Sequence, residues 1–518
     1  MNIGSIPAKW AALTPNADAI FDAEKNRRLT WAQLDERIRR LANGLRDELG
    51  LGYGDRVSIL AKNSIEYQEL YYAAGRAGLV VQPLNWRQGV EELRRVVLDA
   101  APKAIIISDE WLEVGEQLQS LLDVEHWLQY GPGGDGSYED LLARASADEP
   151  RWSESVGGDD PFFILYTGGT TGESKGALHS HRSVANGMLN QTVAERIVPT
   201  DVYLMTGQMY HIPVVLAMNY MRHGCPLVLT TFDPRTSLEL IESERVSAFL
   251  GITTMLNWMM AVPGFSSYDL SSLRNIQYGG GPMPSSVVKA ALDSFPCTLI
   301  QGYGQTEGST MCFLSQEDHL EAIRGIDPDR LKSCGREGFV TTVRVVDPDG
   351  RPVPKDGRTF GQIVVRSGAN MVGYWNRPEL TAETIRDGWM WTGDVAVWDA
   401  NSYVYIVDRA KDMIISGGEN IYSIQVEEAI NQHPAVLECA VVGVPDDQWG
   451  ESVKAFVVRK PSMKVTEPDI IDTAKVHLAS YQKPRSVEFV SELPKAPTGK
   501  ILKRELREPH WAAQDRRV

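Results

Sequence analysis

The sequence predicts an α/β protein with a large N-terminal domain of layered α/β subdomains, a β-rich subdomain and a small, mobile C-terminal α+β domain. Three observations support this fold class. The 518 residues exceed what one hydrophobic core supports, so two or more domains are expected. Helical and strand-like periodicities alternate through the N-terminal part, which is typical of layered sheets with parallel strands. The pattern then changes to short β runs and finally to a compact α+β segment.

The N-terminal alternation begins with residues 29–49, where apolar positions recur at helical spacing. Residues 55–60 then have the pattern of a strand, and a helix over 65–77 leads into an apolar strand over 78–81. Residues 96–107 repeat the order of helix and strand. The sequence therefore predicts α/β layers with largely parallel strands.

A β-rich subdomain is predicted over residues 343–407, where short β runs are divided by Asp-Gly and proline-rich turns. Near Asp408 the chain becomes charged and then glycine-rich, which indicates a hinge over 408–411. We therefore assign residues 1–408 to the N-terminal domain and residues 409–518 to the C-terminal domain. The elements predicted in the C-terminal domain are a helix over 423–431, strands over 438–444 and 453–458, a helix over 467–478 and a strand over 486–489.

The composition excludes several classes of function. The net charge of −16 comes without a large basic stripe, which argues against nucleic acid as the main partner. The five cysteines are scattered and form no Cys-x-x-Cys pair, which fits reduced thiols in a cytoplasmic protein without a disulfide framework or structural zinc. No signal peptide and no apolar run of bilayer length is evident, so no transmembrane segment is expected.

Residues 166–176, with the sequence YTGGTTGESKG, are the most informative stretch. They follow the apolar run 162–165, which has the pattern of a buried strand. Glycines allow positive φ and bring backbone N–H groups close to a ligand, while the hydroxyls and one lysine add further donors. These are the parts of a polyphosphate cradle. A plain Gly/Thr turn is the alternative, whereas a Walker P-loop is excluded because Lys175 does not directly follow Gly172.

Four further motifs complete the chemical inventory, and each one alone has an ordinary structural explanation. Residues 279–281 could form a strand-end turn, Asp394 could be a turn carboxylate and Lys500 a solvated lysine. Their joint occurrence, in this order and spacing, is harder to explain in that way. The motifs are YGGGPMP at 278–284, QGYGQTEG at 301–308, GWMWTGD at 388–394 and PKAPTGK at 494–500.

With these motifs, the chain resembles the adenylate-forming enzymes, the superfamily of acyl-CoA synthetases, nonribosomal peptide adenylation domains and beetle luciferases. The resemblance covers residues 29–507 and is strongest to the branch of fatty-acyl-CoA and 4-coumarate:CoA ligases. It implies an ATP-dependent acid:CoA ligase of fatty acid or specialised carboxylic acid metabolism. A carboxylate would attack the α-phosphorus of ATP·Mg²⁺ to give acyl-AMP and pyrophosphate, and the thiol of CoA would then displace AMP.

The resemblance also implies roles for individual residues. Thr306 is expected to donate to the α-phosphate, Glu307 to hold Mg²⁺ and Lys500 to stabilise the adenylation transition state. Asp394 would accept hydrogen bonds from both ribose hydroxyls, with Arg409 nearby. The residues expected to cradle the β- and γ-phosphates are Thr167, Gly168, Gly169, Thr170, Thr171, Gly172 and Lys175. The residues expected at the adenosine are Tyr303, by stacking, and Gly280 and Gly281, at the edge of the base, with Gly304 also in the cofactor-binding set.

The resemblance further implies that the C-terminal domain swings between the two half-reactions, with Lys411 as the pivot. In the second pose, residues 416–420 would replace Lys500 at the active site. They would line a channel for the pantetheine of CoA, where Gly417 and Gly418 leave the space open.

Two positions depart from the family pattern. Gly168 stands where the family usually has Ser or Thr, and Ser174 stands where it usually has Pro. We expect a more flexible phosphate loop and weaker ATP binding at most, since Lys175 and the threonines are kept.

The acyl pocket is less clearly marked in the sequence. Residues 203–230 contain no Asp or Glu, so an amino acid substrate is not expected, because its ammonium group would be buried without a partner. The apolar residues of this segment, together with Met255, Leu256, Trp258 and Met259, are expected to be mostly core, with a minority lining an apolar acyl pocket.

Three histidines are candidates for particular roles. His211 resembles the family's histidine beside the substrate carboxylate and is a candidate catalytic residue, with a satisfied core histidine as the alternative. His179 and His181 alternate as on one strand face. A metal pair would need a third ligand, and His181 also matches a common structural histidine of the family.

Three functions stay open at this stage. The leading one is an acid:CoA ligase for an apolar or bulky carboxylic acid, whose body is linear, aryl or polycyclic. The second is an adenylating enzyme that loads a separate acyl carrier protein. The third is a nucleotide-binding regulatory protein without activity, against which the intact Glu307, Asp394 and Lys500 argue. The expected partners are the acid, ATP and CoA, and the oligomeric state is open, with a homodimer the commonest soluble assembly.

Overall fold

The computed structural model describes most of the chain, and its contacts divide into two compact units. The first unit combines Met1–Thr167, Ser174–Val343 and Val365–Met390, and the second includes Arg344–Val364 and Trp391–Val518. The described residues are 2–131, 136–167, 174–281, 283–409, 412–417, 419–446, 448–461, 463–495 and 501–511.

Helices occur in both units. Those of the first unit are α1 (Ile6–Leu13), α2 (Trp31–Asn43), α3 (Ile65–Ala77), α4 (Val90–Ala100), α5 (Leu112–Leu121), α6 (Ser137–Arg144), α7 (His181–Glu195), α8 (Pro213–Arg222), α9 (Pro234–Ser243), α10 (Thr253–Met260), α11 (Ser285–Ser294), α12 (Gln316–Ile323) and α13 (Pro378–Thr384). Those of the second unit are α14 (Ser423–Asn431), α15 (Glu467–His477) and α16 (Lys503–Trp511).

Strands alternate with these helices along the chain. The strands before residue 340 are β1 (Asp18–Asp22), β2 (Arg27–Thr30), β3 (Arg56–Leu60), β4 (Val80–Leu84), β5 (Ala104–Ser108), β6 (His126–Tyr130), β7 (Pro161–Thr167), β8 (Lys175–Ser180), β9 (Tyr203–Met205), β10 (Leu227–Leu229), β11 (Ala248–Leu250), β12 (Asn275–Gly279), β13 (Thr298–Gln305), β14 (Ser309–Leu314) and β15 (Arg336–Glu337). The later strands are β16 (Thr341–Val346), β17 (Gly361–Ser367), β18 (Gly373–Tyr374), β19 (Ile385–Arg386), β20 (Trp389–Trp398), β21 (Val404–Arg409), β22 (Ile414–Ser416), β23 (Glu419–Ile421), β24 (Val436–Asp446), β25 (Gly450–Arg459) and β26 (Ser486–Val490).

Two sheets organise the first unit. One has the strand order β15-β14-β13-β12-β11-β9-β10-β1-β2, with parallel pairing from β13 through to β1 and antiparallel pairing at both ends. The other has the order β18-β8-β7-β4-β3-β5-β6, in which β8 is antiparallel to both neighbours and the remaining pairs are parallel. The predicted α/β class with largely parallel sheets is therefore confirmed.

The later part of the chain contains two further sheets. One has the order β16-β17-β20-β19, with β21 beside β20, and corresponds to the predicted β-rich segment. The other, in the second unit, has the order β23-β22-β25-β24, with β26 beside β25. Val426 of α14, Val441 of β24, Val457 of β25 and Ile470 of α15 belong to one buried cluster, so this α+β segment has a hydrophobic core of its own.

Helix α3 lies in the interior of the first unit, and every one of its residues is buried. Ser64 caps its N-terminus by accepting a hydrogen bond from the Tyr67 N–H at 3.2 Å, and Gly78 ends it in the left-handed conformation with φ of 66°. A helix buried on all sides needs partners for its charged residues. Glu69 accepts from Arg37, and Arg76 pairs with a carboxylate of α2.

Most predicted element boundaries lie within a few residues of the observed ones, and the differences have local causes. Thr30 is extended and caps α2, so residues 29–30 belong to β2 rather than to the helix predicted over 29–49. The strand predicted over 78–81 begins only at Val80, because Gly78 terminates the preceding helix. Trp258, predicted among the apolar set of mainly core residues, is 57% exposed and stacks on Phe232.

A buried carboxylate closes the end of α7. Glu195 is 1% exposed, accepts a hydrogen bond from the Tyr220 hydroxyl at 2.5 Å and contacts the Gln191 amide. Burial raises the pKa of Glu195 to about 8, although the Tyr220 hydroxyl and Arg274 act in the opposite direction. The folded protein therefore holds this carboxyl protonated in a pH range where the unfolded chain ionises it.

Replacing Glu195 by Gln removes this titration while keeping the shape of the side chain. Because burial raises the pKa from 4.5 in the unfolded chain to about 8, the stability that the protonated group contributes to the wild type is lost progressively as the pH rises from about 4.5 to about 8. Over this range the free energy of unfolding of Glu195→Gln should rise relative to that of the wild type by up to ~1.4 kcal/mol per pH unit, and above it the difference should level off. Thermal unfolding of both proteins from acidic to mildly alkaline pH measures the difference, and a difference independent of pH would contradict the argument.

Candidate active site

A hairpin positions the predicted phosphate loop. Strands β7 and β8 are antiparallel, with Thr167 opposite Lys175, and the Thr167 hydroxyl donates to the Lys175 carbonyl at 3.4 Å. The intervening cradle residues lie outside the described residues: these are Gly168, Gly169, Thr170, Thr171 and Gly172. The structure thus describes the two ends of the loop, including its lysine.

The turn between β13 and β14 carries Thr306 and Glu307. A side chain at Gly304 would place its Cβ 2.0 Å from the Ser309 carbonyl oxygen, so only glycine permits this close pairing. The strand register shifts between Tyr303 and Gly304, which is a bulge of the kind that re-aims side chains. Gly304 therefore has a structural reason to be glycine, apart from its predicted place in the cofactor-binding set.

Two hydrogen bonds hold Glu307. Its carboxylate oxygen Oε1 accepts from the Tyr374 hydroxyl at 2.7 Å, and its backbone carbonyl accepts from the Met371 N–H at 2.7 Å. Lys175 Nζ lies 5.6 Å from the centroid of the Tyr374 ring. Tyr374 thereby links the lysine of the phosphate loop to the carboxylate of the turn. A carboxylate held in this way could ligate a divalent cation, since hard cations take oxygen ligands.

The two histidines of the predicted pair bind different partners. His179 Nε2 lies 2.8 Å from the Thr306 carbonyl oxygen, and its Nδ1 lies 3.1 Å from the Ser183 hydroxyl. His181 Nδ1 accepts from the Ile3 N–H at 3.1 Å. Burial lowers the pKa of both rings to about 4, so both are neutral near pH 7.

The predicted adenine-binding glycines follow β12. A Cβ at Gly279 would lie 2.2 Å from the Gly302 carbonyl oxygen, whereas a Cβ at Gly280 or Gly281 meets nothing within 4 Å. Gly280 also has φ of +76°. The backbone at 280 and 281 is thus open to close approach by a flat ligand, and Tyr303 lies half-buried on the adjacent strand.

In the second unit, Asp394 and Arg409 form a pair across β20 and β21. They are register partners, and Arg409 Nε lies 2.6 Å from Asp394 Oδ1. Asp394 is 3% exposed and its N–H donates to the Thr392 hydroxyl at 3.1 Å. The predicted proximity of Arg409 to Asp394 is therefore present in the described structure.

The predicted pantetheine segment is described in part. Gly417 has φ of +61°, its N–H donates to the Trp449 carbonyl at 2.8 Å, and a Cβ there would lie 2.7 Å from the Trp449 ring. Lys411, Gly418 and Lys500 lie outside the described residues. The sequence did not mark Trp449 as a site residue, and its contacts with Gly417 are what place it beside the predicted pantetheine segment.

His211 precedes α8 and is half-buried. Its ring centroid lies 4.5 Å from that of Tyr210, whose hydroxyl accepts from Arg87 Nη1 at 2.6 Å. Burial and, to a smaller extent, the Arg87 guanidinium lower the pKa of His211 to about 4. A neutral imidazole suits contact with a substrate carboxylate by hydrogen bonding rather than by charge.

Tyr374 is the residue that the sequence reasoning missed in the first unit. It follows Gly373 in β18 and lies 67 positions from Glu307. Its only sequence signal was its place in the run GYWNRP, which no local periodicity connects to Glu307.

Among the described residues, no helix combines the length and apolarity needed to cross a bilayer.

A hairpin lysine, a Thr–Glu turn and open glycines at a strand end are the groups of an enzyme that uses a nucleotide. The family model described as "AMP-binding enzyme" matches residues 7–375, and the model described as "AMP-binding enzyme C-terminal domain" matches residues 425–500. The chain belongs to the AMP-binding enzyme family, which is the adenylate-forming superfamily that its motifs predicted.

The chain is similar over nearly its whole length to ligases with related names. It is 38% identical over 510 residues to a feruloyl-CoA synthase from Amycolatopsis sp, with 98% of each chain covered. It is 32% identical to a fatty acid–[acyl-carrier-protein] ligase from Streptomyces coeruleorubidus, over 95% of this chain and 94% of that protein. The solved fatty acyl CoA synthetase of Mycobacterium tuberculosis matches with a TM-score of 0.80 and 34% identity, over 99% and 98% of the two chains. The predicted enzyme class, an acid–thiol ligase of the acyl-CoA synthetase type, is confirmed.

The neutrality of His211 can be measured directly. Histidine-selective ¹³C labelling with a pH titration should give a pKa of about 4 for His211, because burial disfavours its charged form. The resonance is assigned by its loss in His211→Gln. A pKa near the ordinary value of about 6.5 would show that the ring is solvated and that the site is more open than described.

Proposed function

We propose that the protein is an ATP- and Mg²⁺-dependent acid:CoA ligase for a carboxylic acid with an apolar or bulky body. In the first half-reaction a carboxylate oxygen bonds to the α-phosphorus of ATP and pyrophosphate leaves. In the second, the thiol of CoA attacks the acyl carbonyl of the acyl-AMP and AMP leaves.

The reduced state of the five cysteines supports a cytoplasmic location.

The observation that carries this proposal is the connection of Lys175, Tyr374 and Glu307. Phosphoryl transfer depends on positioned charges that neutralise the phosphate oxygens. Lys175 over the ring of Tyr374 and Glu307 at its hydroxyl bring a cation and a carboxylate to one phenol, and these are the charges that a phosphate chain and its counter-ion need. Glu307 would hold Mg²⁺, which typically binds one or two carboxylates together with substrate phosphates. Bound Mg²⁺ would shield the phosphate charge.

The remaining roles are those that the resemblance to the adenylate-forming enzymes implies. Thr306 donates to the α-phosphate, and Tyr303 stacks on the adenine while the backbone at Gly280 and Gly281 approaches its edge. Asp394 accepts from the ribose hydroxyls, oriented by Arg409. Lys500 stabilises the adenylation transition state. The rest of the phosphate cradle is Thr167, Gly168, Gly169, Thr170, Thr171, Gly172 and Lys175.

The substrate class is supported by the segment over residues 203–230. It carries no carboxylate that could pair with an amino acid's ammonium group, and Met205, Met209 and Met218 within it are buried. His211, neutral beside Tyr210, adds a hydrogen-bonding group to this apolar segment. The relatives act on feruloyl and fatty acyl groups by their names, which supports an acid whose body is apolar.

A carrier-protein ligase is the second candidate, because one relative of comparable coverage bears that name. The two functions share the first half-reaction and differ in the thiol acceptor.

The decisive experiment is acid-dependent ATP–pyrophosphate exchange with a panel of linear, aryl and polycyclic acids. Exchange should rise well above the acid-free rate for aryl or long alkyl acids and stay at background for amino acids, because residues 203–230 offer no carboxylate to an ammonium group. AMP release is then followed with CoA or with a phosphopantetheinylated acyl carrier protein. Exchange with an amino acid but no apolar acid would overturn the substrate class, and AMP release with the carrier alone would favour the second candidate.

Lys500→Ala should separate the two half-reactions. Adenylation should fall by roughly a thousandfold, since the variant loses a charge that acts on the transition state. Conversion of supplied acyl-AMP and CoA to thioester should stay near the wild-type rate, because in the proposed second pose residues 416–420 replace the lysine. Lys495→Ala, five residues earlier, is the matched control and should leave both rates nearly unchanged. Equal loss of both half-reactions in Lys500→Ala would contradict the two-pose proposal.

A further inference from the structure

His179 makes a contact that no proposed role accounts for. Its ring is 2% exposed, and Nε2 lies 2.8 Å from the carbonyl oxygen of Thr306, which is 127 positions away in sequence. Its other nitrogen, Nδ1, lies 3.1 Å from the Ser183 hydroxyl at the start of α7. The ring also packs on Phe163 of β7, with centroids 5.1 Å apart.

The partners define the tautomer of the ring. A carbonyl oxygen only accepts, so Nε2 carries the hydrogen and donates to Thr306. Burial keeps the ring neutral and lowers its pKa to about 4, against the opposing effect of the Thr306 carbonyl. Nδ1 is then an acceptor, and the single hydrogen of the Ser183 hydroxyl is shared between Nδ1 at 3.1 Å and the Ser180 carbonyl at 2.9 Å. His179 is thus a fixed donor whose orientation is set from its other side.

The accepting carbonyl belongs to the peptide that joins Thr306 to Glu307. The next carbonyl, that of Glu307 itself, accepts from the Met371 N–H at 2.7 Å. Both peptide planes that flank the Glu307 Cα are therefore held by hydrogen bonds from outside the turn. Because these planes determine the direction of the Cα–Cβ bond, they set the direction of the Glu307 side chain independently of its contact with Tyr374.

His179 also relates this turn to the phosphate loop. It lies on β8 four residues after Lys175, and residues separated by four lie on the same face of a strand. One rigid strand thus carries both the lysine and the histidine that orients the carboxylate. His181, also buried two residues later, accepts from the Ile3 N–H and packs on the ring of Phe162 instead, so burial alone does not confer this link.

We propose that His179 is a positioning residue for adenylation, which fixes the Thr306–Glu307 peptide and thereby orients the α-phosphate donor and the metal-binding carboxylate. The proposal rests on the proposed function of this site. His179 touches no substrate in this scheme and acts through Thr306 and Glu307. Its loss should therefore change kcat and the Mg²⁺ requirement rather than the KM for the acid.

Two polar substitutions test the proposal. In His179→Gln the side-chain amide N–H can replace Nε2–H and keep the bond to Thr306, whereas the shorter amide of His179→Asn replaces Nδ1 and loses it. His179→Asn should lower kcat for pyrophosphate exchange roughly tenfold or more and raise the Mg²⁺ concentration for half-maximal rate severalfold. His179→Gln should stay within about threefold of wild type on both measures.

His181→Gln is the burial-matched control. It should lower the thermal midpoint through loss of the Ile3 contact, with kcat and Mg²⁺ dependence unchanged. Equal rates and equal Mg²⁺ dependence in the Asn and Gln variants of His179, or the same kinetic change in His181→Gln, would overturn the positioning role. Absence of acid-dependent exchange in the wild type would overturn the proposed function itself, and this proposal with it.

Discussion

Pairing of β8 on both of its edges is the constraint on which the rest of the described site depends. One edge pairs with β7 and fixes Lys175 opposite Thr167, and the other pairs with β18 through Gly373 and Tyr374. The Val372 and Trp375 N–H groups extend this second edge by donating to β8 carbonyls at 2.8 and 2.7 Å. A strand with partners on both sides has little freedom to slip, because a shift of one residue would turn every side chain to the other face. The lysine, the phenol and the histidine are therefore placed by one ladder of hydrogen bonds.

The turn that carries Thr306 and Glu307 lies against this strand, and its conformation is set by its backbone rather than by packing of its side chains. Gly304 allows β13 and β14 to approach within a distance that no Cβ permits, and the bulge beside it tilts the following residues. External hydrogen bonds then fix the two peptides around Glu307. Preorganisation of this kind reduces what must be ordered when a nucleotide binds, and a fixed carboxylate direction would serve the proposed role of Glu307 in holding Mg²⁺.

Elements and motifs that depend on neighbouring residues could be predicted from the sequence, whereas contacts between distant residues could not. Helices α3 and α14 were predicted at their observed bounds, and the structure shows that Ser64 and Gly78 cap the two ends of α3. The strand order β13-β12-β11-β9-β10-β1 was not predictable, since crossovers place β1 beside a strand some two hundred residues later. The proposed site residues were chosen through their motifs, which give no information on their mutual contacts. Tyr374 and His179 reach the Thr306–Glu307 turn across 67 and 127 positions, and no periodicity reports contacts at such separation.

The hinge proposed over residues 408–411 begins at a residue with strong ties of its own. Asp408 is 1% exposed, and its Oδ2 accepts from the N–H and hydroxyl of Ser423 at 2.5 and 2.8 Å. Lys503 donates to the Ser423 hydroxyl, and its Nζ lies 2.7 Å from a carboxylate oxygen of Glu427. Burial alone would lower the pKa of Lys503, but the carboxylates of Glu427 and Asp408 raise it above the ordinary value. A rotation after Asp408 has to separate this carboxylate from α14, while a rotation before it carries the cluster along intact. Breaking a buried charged group from its partners costs several kcal/mol unless water enters to replace them. A rotation before Asp408 has a cost of its own, because it separates Asp408 and Arg409 from their register partners Val395 and Asp394 on β20. A swing of the C-terminal domain about the proposed hinge therefore has to replace one of these two sets of contacts.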